Sequence, residues 1–163
     1  MFMGGGNEDM KFLNLTAESE KKMYPSPAGW VTGNDRHGPW IEGCFWEALA
    51  DDGPNITGNL YLIEETLAAN SLRVKTGPVW QNSVWKKGDR LLFWNPLTGE
   101  PVQETTLTEI STSAEELFDG VQMIQIADHL ERSIEPGMDM LKNTQVYNLS
   151  SQNDGFVARN NRL

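Results

Sequence analysis

The chain has 163 residues, 39% of them hydrophobic and 9% aromatic. That length suits one core of ordinary size and is short for two comfortable ones, and the apolar content excludes a wholly disordered chain. Thirteen basic residues against 23 acidic give a formal charge of −10, which disfavours attraction to DNA, RNA or anionic lipid and argues against a genome-packing role.

The first 39 residues read as an arm. It opens on the flexible Gly4-Gly5-Gly6, and Phe12, Leu13 and Leu15 form a short apolar cluster. Thr16 is placed to cap a brief helix over 17–23, with Glu18 in its first turn and Pro25 fixing its end. Residues 24–29, with Pro25 and Pro27, are extended or turning, because each proline pushes its predecessor away from helix. This arm has little capacity to fold alone.

Residues 40–141 read as a β-rich core of short strands separated by turn signals, a small β-sandwich or β-barrel with one or two short helices. A strand over 40–49 carries Trp40, Cys44 and Trp46, and Asp51-Asp52-Gly53-Pro54-Asn55 then turns. A second strand covers 59–64. Over 71–76 Leu72, Val74 and Thr76 alternate with Arg73 and Lys75, as a half-exposed strand requires. Gly77-Pro78 starts a segment carrying Val79, Trp80, Val84 and Trp85. Lys87-Gly88-Asp89 turns into a strand over 90–94, and residues 95–100 turn into another over 102–110. Ser113 with Glu116 three positions on is a capping-box pattern for a helix over 113–119 that Gly120 stops. A strand over 121–126 follows, then a helical turn or two over 127–133. Residues 142–163, rich in Asn, Ser and Gln, read as a tail that orders on a partner.

Chemistry is thin along this chain. His37 and His129 are the only histidines: His37, seven residues from Cys44, could form a Cys–His nucleophile pair with it, and no second His or Cys follows His129 at metal-ligand spacing. Cys44 is the single cysteine, so no intrachain disulfide forms, and its neighbours Phe45 and Trp46 favour a buried, inert thiol. No Gly-x-Ser-x-Gly elbow occurs, and Gly4-Gly5-Gly6 lacks the strand and lysine of a phosphate loop. The tightest acidic pairs, Asp51-Asp52 and Glu64-Glu65, point to opposite faces if they lie in strands. The expectation is therefore no catalytic residue, no metal and no cofactor. Without a basic leader followed by an apolar run, or a stretch of roughly eighteen apolar residues, a secretory signal and a membrane span are not expected either.

Charge is unevenly placed. Residues 100–139 hold ten acids and one base, whereas Arg73, Lys75, Lys86, Lys87 and Arg90 face only Asp89 within 71–93. Such patches either mate between subunits or simply cluster on a solvated surface. Of the six tryptophans, Trp40 and Trp46 are six apart and share one face of a continuous strand, whereas Trp80 and Trp85, beside Lys86 and Lys87, are the candidates for a surface role.

The layout of the Gly-led arm through Pro25-Ser26-Pro27 and the turn-to-strand run from Lys86 to Trp94 resembles the small head proteins of tailed phages, of the decoration or cement type. That resemblance is one of organisation. It implies a non-enzymatic virion protein on the outer capsid surface, a dimer or trimer whose arm lies on shell subunits, with no nucleic-acid or membrane partner. Head-closure and tail-adaptor barrels share the layout, and a protein outside a virus would be cytoplasmic. The interface residues expected under this reading are Phe2, Phe12, Leu13, Leu15, Tyr24, Trp30, Trp80, Trp85, Tyr147 and Phe156. The competing expectation is a carbohydrate-binding β-sandwich module in which Trp80, Trp85 or Trp94 stacks on sugar rings.

Overall fold

The computed structural model describes residues 8–18, 30–33, 35–47, 54–58, 60–76, 85–113, 115–116 and 119–162, and its fold is mainly β. Six short strands come first: β1 (Lys11–Leu13), β2 (Thr16–Ala17), β3 (Trp30–Gly33), β4 (Trp40–Glu42), β5 (Phe45–Trp46) and β6 (Pro54–Thr57). Six more follow: β7 (Leu60–Ala68), β8 (Ser71–Lys75), β9 (Arg90–Asn95), β10 (Glu100–Ser111), β11 (Val121–Ile126) and β12 (Gln145–Asn148). The last is β13 (Val157–Arg159). The chain divides into two compact units, one of Asn59–Ser150 and one of Met1–Gly58 with Ser151–Leu163. The first is thus inserted in the sequence of the second.

The inserted unit is a closed antiparallel barrel in the order β10-β11-β8-β7-β12-β9. Closure pairs every strand on both sides and leaves no edge. Alternation fills its interior: Tyr61 and Ile63 from β7, Leu72 and Val74 from β8, Leu91 and Phe93 from β9, Leu107 from β10, Ile124 and Ile126 from β11 and Val146 from β12 are all buried. Each such side chain contributes about 1.5–3 kcal/mol relative to exposure. The expected alternation over 71–76 is observed, with Leu72, Val74 and Thr76 buried and Arg73 and Lys75 less so.

Local signals set the turns. Asn95 Oδ1 accepts the Leu97 amide at 2.9 Å, the Gly99 amide bonds Asn95 O at 3.0 Å, and Gly99 at φ 72° closes the β9–β10 hairpin. The capping box forms as expected: the Ser113 amide donates to Glu116 Oε2 at 3.0 Å, and the Glu116 amide donates to Ser113 Oγ at 3.1 Å. Asp89, buried before β9, accepts the Lys86 amide and the Asn148 Nδ2 group, both at 2.8 Å. This carboxylate ties the start of β9 to the end of β12.

The second unit is built differently. Segments around β1, β4 and β13 lie parallel in the order β1-β4-β13, with Phe12 beside Ile41 beside Ala158. Past the strand ends the alignment continues, Thr16 beside Phe45 and Phe45 beside Arg162. Strands β3 and β6 form a separate parallel pair. Phe12, Ile41, Cys44 and Trp46 make a small core, with Met10, Ala17 and Ile56 packed against it.

Several sequence expectations need correction. The strand over 40–49 is broken into β4 and β5 at Gly43, which sits at φ 64° and turns the chain. Trp46 is buried while Trp40 is half-buried, so they do not share the face of one continuous strand. Thr16 and Ala17 form β2 instead of opening a helix, because they pair in parallel with β5, the Phe45 amide donating to Leu15 O and the Glu47 amide to Ala17 O; residues 19–23 lie outside the described residues. Residues 127–133 make bends and a turn closed by the Ile134 amide on Glu131 O at 3.1 Å, not a helix. The partition into an arm of 1–39, a core of 40–141 and a tail of 142–163 also falls elsewhere. Gln145–Asn148 closes the barrel with Val146 fully buried, and Val157–Arg159 pairs with the segment assigned to the core.

Candidate functional site

Strand registers fix which loops share a barrel end. Gln145 opens β12 opposite Trp94, near the end of β9, and opposite Leu62, so β12 begins where β9 stops. Ala68 at the end of β7 pairs with Ser71 at the start of β8, and Ser71 lies opposite Gln125 near the end of β11. One end therefore gathers the β7–β8 turn, the β9–β10 turn, the loop after β11 and the loop leading into β12. The chain enters and leaves the barrel at the other end.

The barrel's exposed large hydrophobics all belong to the first end, among the described residues: Leu67, Leu97, Met138, Met140 and Leu141, with Leu97 66% and Leu141 77% exposed. The loop carrying the last three is held by hydrogen bonds. The Gly137 amide reaches Ile63 O at 2.7 Å, Gln145 Nε2 reaches Met140 O at 2.6 Å, and Asn143 Oδ1 accepts the Asp139 amide at 3.0 Å. Asp139 Oδ1 accepts the Leu141 amide at 3.0 Å, which together with Lys142 keeps its carboxyl below the usual carboxylate range. A loop tied at so many points presents its apolar side chains in a fixed arrangement, with little ordering entropy left to lose on contact.

Around this end the exposed charges are mostly acidic: Glu65, Glu100, Asp128, Glu131, Glu135 and Asp139 against Arg132 and Lys142. A cleft of about 350 Å³ beside it is lined by Thr66, Ala68, Ala69, Ile134 and residues 129–132, His129 among them. The other unit has a cleft of about 270 Å³ at the corner before β1, β4 and β13, where His37 Nδ1 lies 3.3 Å from Asp9 Oδ1. Both groups of that pair are largely exposed. Among the described residues no cluster of three His, Cys, Asp or Glu side chains is arranged to hold a metal ion, and no helix is long and apolar enough to cross a membrane.

The residues expected at an interface divide. Leu13, Leu15 and Phe156 are exposed, at 43–49%. Phe12 is instead in the small core, and Tyr147 is half-buried on β12, its hydroxyl 3.3 Å from Gln145 Oε1. Trp85 is a correction: at 4% exposure it lies inside the barrel, edge-on to Tyr61 with ring centroids 5.0 Å apart. The flanking Lys86 and Lys87 are exposed while the indole turns inward. Phe2, Tyr24 and Trp80 lie outside the described residues, as does the side chain of Trp30 in β3.

Opposite charges along the chain meet within it. Arg73 pairs with Glu64 at 2.6 Å and Glu116 at 3.1 Å, Lys75 Nζ reaches Asp119 O, and Arg90 pairs with Glu104. The basic stretch is therefore largely engaged by its own barrel. Sequence reading overlooked Leu67, Leu97, Met138, Met140 and Leu141. The available signal was Met138, Met140 and Leu141 between Pro136-Gly137 and Asn143, where a turn-rich loop carries side chains a turn does not need.

No protein-family model matches the chain, and no curated protein resembles it at a significant level.

Proposed function

We propose that the chain is a non-enzymatic structural subunit that attaches to a larger protein assembly through one end of its barrel, as decoration or cement proteins attach to the outer surface of tailed-phage heads. The observation that carries this reading is the gathering of Leu67, Leu97, Met138, Met140 and Leu141 at that end. Removing each from water on docking contributes on the order of 1 kcal/mol, which sums to useful affinity only because the side chains are pre-arranged. The acidic border favours a partner surface that is apolar at its centre and basic at its rim. A head-closure or tail-adaptor part would use the same surface at a different place in the virion. The carbohydrate-binding alternative loses one of its three stacking residues to the barrel interior, and no observation favours it.

Co-sedimentation with tailed-phage heads from the same source as the sequence tests the proposal. Saturable binding is expected from the wild-type chain and none from Met138→Asp/Leu141→Asp, a double variant whose near-ultraviolet circular dichroism should match wild type because both side chains are exposed. Failure of the wild type to bind, or equal binding by the double variant, rejects the reading. Where the added density sits, on the head surface or at the neck, separates decoration from head closure.

A further inference from the structure

We infer that the parallel three-segment sheet continues from one copy of the chain into the next, with β1 of one protomer adding beside β13 of another. The inference goes beyond barrel docking and rests on the other unit.

Hydrogen bonding alternates along a parallel strand, so residues that bond one neighbour turn their successors' amides the opposite way. The Asn14 amide bonds Glu42 O and the Trp40 amide bonds Met10 O, both at 2.8 Å, which leaves the amide groups of Lys11 and Leu13 facing away from β4. On the other flank, the Val157 amide bonds Pro39 O at 3.1 Å and the Gly43 amide bonds Arg159 O at 3.3 Å, so those of Ala158 face away. Among the described residues, nothing pairs with the outer side of β1 or of β13. One edge thus offers Lys11 and Leu13 where the other offers the residue that fits between them in parallel register, Ala158.

The side chains tell the same story. The inner row Phe12–Ile41–Ala158 is buried at its first two members and exposed at Ala158, so the row stops without a cap. Stacked repeats expose a core face at each end unless a capping segment covers it. A second copy would set its Phe12 over Ala158 and its Met10 beside the exposed Phe156. It would also set Lys11 beside Val157 and Leu13 beside Arg159, so no like charges meet between the two three-residue strands themselves.

Parallel addition is the geometry the corners allow. Asn14, Gly43 and Asn160 occupy the same position after their strands and take φ of 53°, 64° and 56°. Three aligned left-handed corners superimpose on a fourth only if it runs in the same direction. An antiparallel neighbour would part from the sheet within three residues. Because the two mating edges differ, the contact is head-to-tail, and it closes into a ring or propagates according to the rotation between copies.

Proline substitution separates the edges. Leu13→Pro and Ala158→Pro each remove an outward amide while cutting no bond to β4, and proline is tolerated at such edge positions. Sedimentation velocity of the intact chain should show concentration-dependent association for the wild type and a monomer for each variant alone. An equimolar mixture should form a 1:1 dimer, since Ala158→Pro keeps its β1 edge and Leu13→Pro its β13 edge. A wild type that stays monomeric at every concentration overturns the inference. So does self-association of Leu13→Pro alone, the signature of β13 against β13, or a mixture that remains monomeric. Hydrogen exchange of the wild type provides a check independent of the variants: the amides of Lys11, Leu13 and Ala158 should become protected as concentration rises, and unchanged exchange rejects the proposal. These readouts use the isolated chain, so head binding and self-association can each fail separately.

Discussion

Gly43 stands directly against Asn14: a β-carbon added at Gly43 would meet the Asn14 side-chain oxygen, and both residues hold left-handed backbone, at φ 64° and 53°. Asn is among the few residues besides Gly that adopt this region readily, and Asn160 repeats the choice on the third segment.

Gly43→Ala is therefore expected to destabilise the parallel unit by at least the ~1–2 kcal/mol that left-handed backbone costs an L-residue, with the Asn14 side-chain amide displaced to admit the new methyl. Gly99→Ala, also at positive φ but with nothing within 4 Å of its added β-carbon, should cost only that strain. Urea unfolding followed by circular dichroism compares them. Equal losses for the two variants would remove the steric contact from the explanation.

Cys44 should behave as a silent reporter of the parallel unit. The thiol is 1% exposed and lies 3.4 Å from Phe12 O and 3.5 Å from Glu42 O. A thiol reagent should react with the native chain only as fast as this unit opens, and fully in denaturant. Gly43→Ala should accelerate that reaction, while Phe93→Ala in the barrel should leave its native-state rate nearly unchanged. Rapid labelling of the native wild type would contradict the burial.

Within the barrel, Phe93→Ala is expected to cost about 3–5 kcal/mol, because Phe93 is fully buried among Leu91, Val146 and their neighbours. Trp85→Phe should cost less, roughly 1.5 kcal/mol or below, since it keeps an aromatic ring beside Tyr61 and Trp85 Nε1 makes no hydrogen bond. Denaturant midpoints give both values. The rise in iodide quenching of indole fluorescence on unfolding should be smaller for Trp85→Phe than for wild type, because one shielded indole is gone while Trp46 remains.

Acid should loosen the β10–β11 connection. Glu116 is held below the usual carboxylate range by the Ser113 amide, then by the Ser113 hydroxyl, with the Arg73 guanidinium adding to both. A depressed folded-state pKa means the stabilisation is complete above the ordinary carboxylate pKa and is lost as pH falls through the lowered value. Glu116→Gln should be less stable than wild type near neutrality, and the two should converge as pH drops below that value. Parallel pH curves for the two proteins would exclude this carboxylate as the source.

Much of the barrel was legible one strand at a time. Leu72 and Val74 against Arg73 and Lys75, the Asn95-to-Gly99 turn and the Ser113–Glu116 box are patterns of neighbours two, three or four apart. The forces that read them, alternation and local hydrogen bonding, act over that distance. Trp85 was misplaced for the same reason: its flanking lysines describe the adjacent backbone positions, whereas its own direction follows the barrel wall and the edge of Tyr61.

What the sequence determined by itself was the β class, the acidic exterior, the single buried thiol and most turns, because each follows from composition or from residues close along the chain. Only the tertiary structure decided that Val146 closes a barrel, that Val157–Arg159 returns to pair with Trp40–Glu42, and that Leu67, Leu97 and Leu141 meet at one end. Those outcomes depend on pairings across tens of residues, where a short polar stretch carries no mark of its partner until the register of the whole sheet is set.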